Sequence, residues 1–232
     1  MARNFSLSLH NRDIRDLEKY GYADHIIRYY TEMIETRIAI DKAICKNHEG
    51  KMSGMFSLST SPIVNKYCKA RIKNPLMICS FCFSCALNEQ RVQLKNKLIR
   101  NTNLLTLRVY PISFFPILNV RFFRLESFGD LNNEIQLINY FNMCLQNPFV
   151  SFTLWTKNTF ILKKVRKMGY KKPTNLIIIQ SSFYLNKVDK IRDPWIDKVF
   201  TVWDRESAEK NKITINCGAR HCLSCLRCYT NN

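Results

Sequence analysis

Hydrophobic and polar positions along the chain follow two different periods. In residues 12–46, apolar side chains recur near a spacing of 3.6 residues among charged ones, which predicts one or two helices interrupted near Gly21. From residue 54 onwards, short apolar runs with strand periodicity alternate with amphipathic segments. The predicted strands lie at 54–60, 120–126, 149–155, 175–180, 198–203 and 213–215.

Helices are predicted after most of these strands. Their ranges are 86–100, 132–145 and 158–168, with a short helix after residue 203. Asn158 and Gly169 are residue types that begin and end helices. Repeated strand and helix units with short joints imply a parallel sheet. We therefore predict an α/β fold that forms a complete or partial (β/α) barrel with parallel strands, and an open doubly wound sheet is the alternative.

The same patterns divide the 232 residues into three regions. A helical N-terminal extension occupies 1–49, an α/β barrel-like domain with the first cysteine loop occupies 50–216, and a cysteine-rich metal-binding tail occupies 217–232. No apolar run approaches the roughly 18 residues that a membrane span needs. The first residues also lack the apolar core of a signal peptide. We therefore expect a soluble cytoplasmic protein with reduced thiols and no contact with a membrane.

Eight of the ten cysteines fall into two quartets with related spacing, C-x10-C-x2-C-x2-C and C-x4-C-x2-C-x2-C. Consecutive C-x2-C steps are typical of loops that wrap a cubane, whereas zinc usually takes two separated pairs. We therefore predict one or two [4Fe-4S] clusters, with zinc or buried or disulfide-bonded cysteines as alternatives. The spacing allows either two separate sites or one shared site. The predicted metal ligands are Cys68, Cys79, Cys82, Cys85, Cys217, Cys222, Cys225 and Cys228.

Polar residues follow several of the predicted strands. The carboxyl ends of parallel strands meet at one edge of a sheet, which is where α/β proteins bind ligands. We predict that Glu126, Asp130 and Lys157 are catalytic. We predict that Arg124 and Ser181 bind a cofactor or substrate at the same edge.

These polar residues also have structural interpretations. Asp130 is suitably placed to cap a helix that begins near Leu131. Glu126 is suitably placed to pair with Arg121 or Arg124 inside a barrel. Lys157 is equally typical of an ordinary solvated lysine.

The net charge of +18 is concentrated in the centre of the chain. Residues 50–188 contain 20 lysines and arginines but only four acids, whereas both flanking regions are close to balance. Such an excess favours a polyanionic partner, either nucleic acid or a phosphorylated metabolite, and solubility alone is the alternative. The densest basic patch lies at 163–172. The six glycines form neither of the standard nucleotide-binding motifs, so dinucleotide and P-loop chemistry are disfavoured.

The sequence C-S-F-C at 79–82 resembles the second half of the radical S-adenosylmethionine motif C-x3-C-x-φ-C. The resemblance implies a partial barrel in which three cysteines hold a [4Fe-4S] cluster, S-adenosylmethionine binds the fourth iron, and Phe81 is a cofactor-binding residue. The motif is incomplete, because its first cysteine is replaced by Pro75. Either Cys68 would supply the missing ligand, or Cys85 would complete a triad with the other two.

A second resemblance is to the uncharacterised phage proteins called the gene-product-88 family. It spans about residues 50–228 and is carried by the terminal cysteine run and by four segments. These are K-M-S-G-M at 51–55, I-C-S-F-C-F at 78–83, F-R-L-E-S-F-G-D-L at 123–131 and F-T-L-W-T-K at 152–157. The likeness implies a phage or prophage gene and the cytoplasm of a bacterial host, and it supplies no activity.

Together, these observations favour an iron-sulfur protein. The leading expectation is a divergent radical S-adenosylmethionine enzyme that acts on nucleic acid or a phosphorylated metabolite. The alternative is a non-catalytic nucleic-acid-binding module that zinc or iron-sulfur clusters hold together.

Overall fold

The computed structural model describes residues 14–213 and 221–230. Residues 14–19 are helical. The later α-helices are α1 Asp24–Ala43, α2 Lys66–Ile72, α3 Phe83–Gln90, α4 Val92–Thr106, α5 Glu134–Gln146, α6 Thr159–Lys167, α7 Arg205–Lys210 and α8 Cys222–Cys225. The strands are β1 Cys45–Lys46, β2 Phe56–Leu58, β3 Phe122–Leu125, β4 Ser151–Thr156, β5 Leu176–Ser181 and β6 Lys198–Phe200. None of the helices in the described ranges is both long and apolar enough to cross a bilayer.

The six strands form one sheet whose spatial order is the same as their order in the sequence. β1 pairs with β2 in the antiparallel direction, and every later neighbour is parallel. The order never reverses, so this sheet lacks the switch point that defines a doubly wound fold. The predicted α/β class with a mostly parallel sheet is confirmed. In the described ranges the sheet is open between β1 and β6, so a closed barrel is not formed there.

One face of the sheet carries the hydrophobic core. Alternate residues of the central strands, including Phe123, Phe152 and Ile178, are buried against helices α1, α4, α5 and α6. Each such side chain contributes roughly 1.5–3 kcal/mol through its removal from water. Met33 and Ile40 of α1 belong to the same core. The predicted N-terminal extension therefore shares the core of the α/β domain, and β1 extends the sheet.

Asparagine side chains close several of the connections between elements. The amide of Asn175 donates to the carbonyl oxygens of Cys144, Asn147 and Val150 at 2.9–3.0 Å. Asn147 in turn accepts a hydrogen bond from the backbone of Leu118 at 2.7 Å. These side chains satisfy backbone groups that a loop would otherwise leave unpaired.

The opposite face, called here the inner face, carries Arg124, Thr153 and Trp155. Residues 221–230 pack against it. The ring of Tyr229 lies 5.1 Å from that of Phe122 on β3. The C-terminal segment therefore covers the side of the sheet that has no helices of the core layer.

Two predicted elements differ from the structure. The predicted helix at 86–100 is two helices, α3 and α4, because the backbone of Arg91 is extended between them (φ −118°, ψ 90°). The first cysteine cluster lies on helices rather than in an open loop, because Cys68 belongs to α2 and Cys85 to α3. Most of the predicted strand at 213–215 lies outside the described residues.

Candidate functional site

The first cysteine of the site, Cys68, is held near the carboxyl edge of the sheet by the cap of α2. The side chain of Asn65 accepts hydrogen bonds from the backbone of Tyr67 at 2.9 Å and of Cys68 at 3.4 Å. Its amide donates to the carbonyl oxygen of Asp130 at 2.9 Å. Asn65 is buried, so this link fixes the start of α2 beside the segment that follows β3.

The other three cysteines follow on a short helical turn. Cys79 lies in the 3₁₀ turn Ile78–Phe81, Cys82 is the N-cap of α3, and Cys85 lies in the first turn of that helix. The backbone N–H of Ile78 donates to the carbonyl oxygen of Phe183 at 2.9 Å. This bond joins the cysteine turn to the chain that leaves β5.

The thiols of Cys82 and Cys85 contact each other. A hydrogen bond from the Cys85 thiol lowers the pKa of Cys82 to about 6, and the backbone amides of Ser84 and Cys85 act in the same direction. The same thiol contact raises the pKa of Cys85. The pair therefore loses its first proton more readily than an isolated thiol does.

The two remaining thiols share these surroundings. Burial raises the pKa of Cys68, and the nearby Asp130, Cys82 and Cys79 add to the effect. Burial also raises the pKa of Cys79, and the positive charge of Lys157 opposes it. The four cysteines of the first quartet are therefore electrostatic neighbours. In the part of the chain that the structure describes, no three cysteine, histidine or acidic side chains are arranged as a closed metal site.

Glu126, predicted to be catalytic, is buried at the end of β3. Its carboxyl group accepts hydrogen bonds from the backbone of Thr60 at 3.2 Å and its hydroxyl at 2.9 Å, from the amide of Gln136 at 2.6 Å, and from the Tyr140 hydroxyl. Burial raises the pKa of Glu126 to about 7 despite these donors. All the donors are neutral groups. Glu126 therefore links the ends of β2 and β3 to α5.

Asp130 is likewise buried and hydrogen-bonded to neighbouring segments. Its carboxylate accepts hydrogen bonds from the backbone of Leu131 at 2.7 Å and of Lys157 at 2.9 Å, and from the hydroxyl of Thr156. The proposed helix cap at Asp130 is wrong, because α5 is capped by Asn133 instead. Asp130 joins the ends of β3 and β4. Both predicted catalytic carboxylates are therefore engaged with protein donors.

Lys157 and Ser181 are brought together at the carboxyl edge. The Lys157 ammonium donates to the Ser181 hydroxyl at 2.8 Å. Its charge lowers the pKa of both Cys79 and Cys82, so the ammonium lies beside the cysteine turn. These four residues combine soft thiol ligands with one fixed cation.

Sequence reasoning missed two further residues of this site, Tyr67 and Arg71. The Tyr67 hydroxyl donates to the carbonyl oxygen of Lys157 at 2.7 Å. The guanidinium of Arg71 lies 3.4 Å from the centroid of the Tyr67 ring and 5.7 Å from that of Phe183. The available signal was their i and i+4 spacing around Cys68, which places both on one side of α2.

The two residues predicted to bind a cofactor with Ser181 lie in other surroundings. Phe81 is at the surface of the cysteine turn. Arg124 faces the inner face of the sheet, where its guanidinium lies 4.6 Å from the centroid of the Trp155 ring. Strand alternation places Lys157 and Ser181 on the same face. Arg124 pairs with Thr153, four residues before Lys157, so Arg124 lies at a different level along the strands.

The second cysteine set has different neighbours from the first. Cys222, Cys225 and Cys228 line a small cavity of about 20 Å³ together with Arg124 and Trp155. Cys217 lies outside the described residues. The neighbours of the described cysteines favour two separate sites over a single shared one.

Two cysteines stand apart from both sets. Cys144 is buried in α5, and Cys45 lies in β1 rather than in a helix. None of the nine cysteines in the described ranges forms a disulfide.

Comparison with known proteins gives no match to this chain among protein-family models, curated proteins or solved structures. A proposal about function therefore rests on the arrangement of the two cysteine sets.

Proposed function

We propose that the protein is an iron-sulfur enzyme whose first cysteine quartet binds a [4Fe-4S] cluster at the carboxyl edge of the sheet. The observation that carries the proposal is the proximity of the Cys68, Cys79, Cys82 and Cys85 thiols, which influence one another beside the ammonium of Lys157. Thiolates are the usual ligands of such clusters. The unreversed order of parallel strands supports a partial (β/α) barrel as the scaffold.

The donor chemistry of the quartet fits this metal group. Cys79 and Cys82 would hold the cluster with either Cys68 or Cys85 as the third ligand, as the resemblance to radical S-adenosylmethionine enzymes implies. A [4Fe-4S] cluster held by these cysteines would supply one-electron reduction of S-adenosylmethionine.

The chain's own residues would orient the anionic groups. Lys157 presents a positive charge beside the cysteine turn, and its hydrogen bond to Ser181 fixes the direction of the ammonium. Glu126 and Asp130 hold the strand ends under the site through their buried hydrogen bonds. The proposed substrate carries phosphate, as nucleic acid or as a phosphorylated metabolite, because the central region is strongly basic. The proposed setting is the cytoplasm of a bacterial host.

A second cluster is proposed for the C-terminal set. Cys222, Cys225 and Cys228 supply three thiols that line one cavity, and Cys217 is the predicted fourth ligand. That cavity is also lined by Arg124, Thr153 and Trp155, which lie within β3 and β4, whereas Lys157 and Ser181 lie at the carboxyl edge. We therefore assign it an auxiliary role.

The test is anaerobic purification of the whole chain, with iron, acid-labile sulfide and zinc quantified in the same sample. We expect iron and sulfide together with visible charge-transfer absorption. The Cys79→Ser and Cys225→Ser variants should each lose one cluster, whereas the Cys45→Ser control should lose none. Zinc without sulfide in the wild-type protein would overturn the proposal.

The alternative function is a nucleic-acid-binding module held together by zinc or iron-sulfur clusters. The basic patch at 163–172 is the observation in its favour, because Lys163, Lys167 and Lys171 are exposed there. The patch is partly neutralised. Its other three cations form salt bridges, which are Lys164 with Glu134, Arg166 with Asp193 and Lys172 with Asp197. Zinc content and salt-sensitive binding without cofactor cleavage would favour this function.

A further inference from the structure

An exposed group of apolar side chains lies on the first cysteine turn. Leu76 is 77 % exposed, Phe81 is 85 % exposed and Phe83 is 63 % exposed. The ring of Phe83 lies 6.2 Å from that of Phe128, which follows β3. We call Phe81, Phe83 and Phe128 the aromatic patch. Large apolar side chains that are exposed side by side mark a binding surface more often than isolated ones do.

Cations flank this patch. The cysteine turn is hydrogen-bonded to Phe183, and the guanidinium carbons of Arg71 and Arg192 lie 5.7 Å and 4.6 Å from the centroid of that ring. The Lys157 ammonium donates at 2.8 Å to the hydroxyl of Ser181, the last residue of β5, which lies two residues before Phe183. Arg192 is paired with Asp189. Neither Arg71 nor Lys157 forms a salt bridge within the described ranges.

Acidic side chains contribute little to this surface. Residues 50–188 contain only four acids. Glu126 and Asp130 are buried, and Glu134 forms a salt bridge with Lys164. Glu89 is the one acid of this range that is exposed without a salt bridge in the described structure. The exposed surface of the central region is therefore basic, and its most exposed aromatic pair lies beside the candidate metal site.

We propose that the aromatic patch and its flanking cations bind single-stranded nucleic acid. Phe81 and Phe83 stack with unpaired bases, while Arg71 and Lys157 contact the phosphates. Every base offers a flat face, so stacking needs no particular sequence, whereas a duplex keeps these faces covered. A protein partner is disfavoured because it would need a strongly acidic surface around its apolar contacts. Single-stranded nucleic acid would be the substrate class of the proposed function. The inference rests on that function only in placing the functional site at the carboxyl edge of the sheet.

The binding test uses the full-length protein and fluorescence anisotropy. The probes are labelled oligothymidine and oligouridine of about ten nucleotides, with a duplex of the same length for comparison. We expect the single strands to bind more tightly than the duplex. Affinity should fall with salt, with a logarithmic slope of about −0.7 for each phosphate contact.

Matched variants locate the binding surface. The double variant Phe81→Ala/Phe83→Ala should bind at least about tenfold more weakly, because each lost stack removes a favourable contact. Phe149→Ala is the control, since Phe149 is 95 % exposed but precedes β4 at the opposite edge of the sheet. Lys157→Gln should make the logarithmic salt slope less steep by about 0.7, which is the value for one lost phosphate contact. Lys163→Gln, an exposed lysine of α6, should leave the slope unchanged. Circular dichroism of every variant checks that the fold is retained.

Several outcomes would overturn the inference. One is that the double phenylalanine variant and Phe149→Ala bind with equal affinity. Another is that the protein prefers the duplex. A third is that Lys163→Gln weakens binding while Lys157→Gln does not. Capture of a protein that depends on Phe81 and Phe83, without oligonucleotide binding, would also overturn it. The metal content of each sample separates the two proposals. Strand binding without iron leaves this inference standing while the cluster proposal fails, and an iron-loaded protein without strand binding overturns this inference alone.

Discussion

At the scale of single residues, the backbone of Glu126 decides what its side chain does. Arg124 and Glu126 are two residues apart, so strand alternation alone would place both on the inner face. Glu126 follows the end of β3 with a φ of 58°, which is the left-handed region. Its carboxyl group instead reaches Gln136 and Tyr140 of α5. Sequence reasoning had no means of seeing this turn, which explains why it grouped Arg124 with Glu126.

The buried carboxyl group of Glu126 should make stability depend on pH. Burial raises its pKa from 4.5 to about 7, so between these values the folded state holds a proton that the unfolded state releases. The free energy of unfolding should therefore fall by roughly 3 kcal/mol as pH rises through this window. Glu126→Gln removes the titrating group. Urea denaturation at several pH values should show a flatter profile for the variant.

The control for this experiment is Glu134→Gln. Glu134 is partly exposed at the start of α5, and its hydrogen bond from Lys164 lowers its pKa. Its contribution to stability is present at neutral pH and is lost as pH falls, which is the opposite direction. If Glu126→Gln and the wild-type protein lose the same stability between about pH 5 and pH 8, the assignment to Glu126 is wrong.

At the scale of elements, apolar periodicity predicted most helices and strands to within a few residues. The helix predicted at 158–168 is α6, Thr159–Lys167. Gly169 ends it with a φ of 88°, whereas the side chain of Asn158 makes no cap hydrogen bond. The break at Arg91 was missed, because the apolar spacing continues through it. The thiols of the first quartet were expected to be neighbours from their spacing. The packing of Arg71 of α2 against Phe183, in the chain after β5, is a contact that no local pattern reveals.

Asn133 offers a test of how α5 is positioned. Its side chain accepts a hydrogen bond from the backbone of Gln136 at 3.0 Å and donates to the carbonyl oxygen of Thr106 at 2.9 Å. It therefore caps α5 and also ties it to the end of α4. Asn133→Ala should lower the free energy of unfolding by about 1–2 kcal/mol, as measured by urea denaturation.

Asn133→Asp separates the two roles of this residue. The carboxylate keeps the helix cap and favours the positive end of the helix dipole, but it loses the bond to Thr106. We expect a smaller loss of stability than in the alanine variant. Equal losses in the two variants would show that the link to α4, rather than the cap, is the important interaction.

At the scale of the whole molecule, the C-terminal segment acts as the second cover of the sheet. The helices bury one face, and residues 221–230 lie across the other. Tyr229 packs against Phe122, and burial raises the pKa of Tyr229 to about 12. The Lys198 ammonium donates to the carbonyl oxygen of Arg227 at 2.6 Å, which ties the segment to β6. A sheet with one face uncovered would expose apolar side chains to water.

Removal of residues 221–232 should therefore uncover the inner face. Loss of the contacts around Tyr229 should lower the free energy of unfolding by about 2–4 kcal/mol. The fluorescence emission of Trp155 should shift to longer wavelength. The same truncation in a Trp155→Phe variant shows how much of the shift comes from Trp155. Tyr229→Ala in the full chain should give a smaller shift in the same direction. If the shortened chain keeps both its stability and its Trp155 emission, the segment does not cover the sheet. If chelation of the wild-type protein reproduces the shift, the position of the segment depends on metal bound by its cysteines.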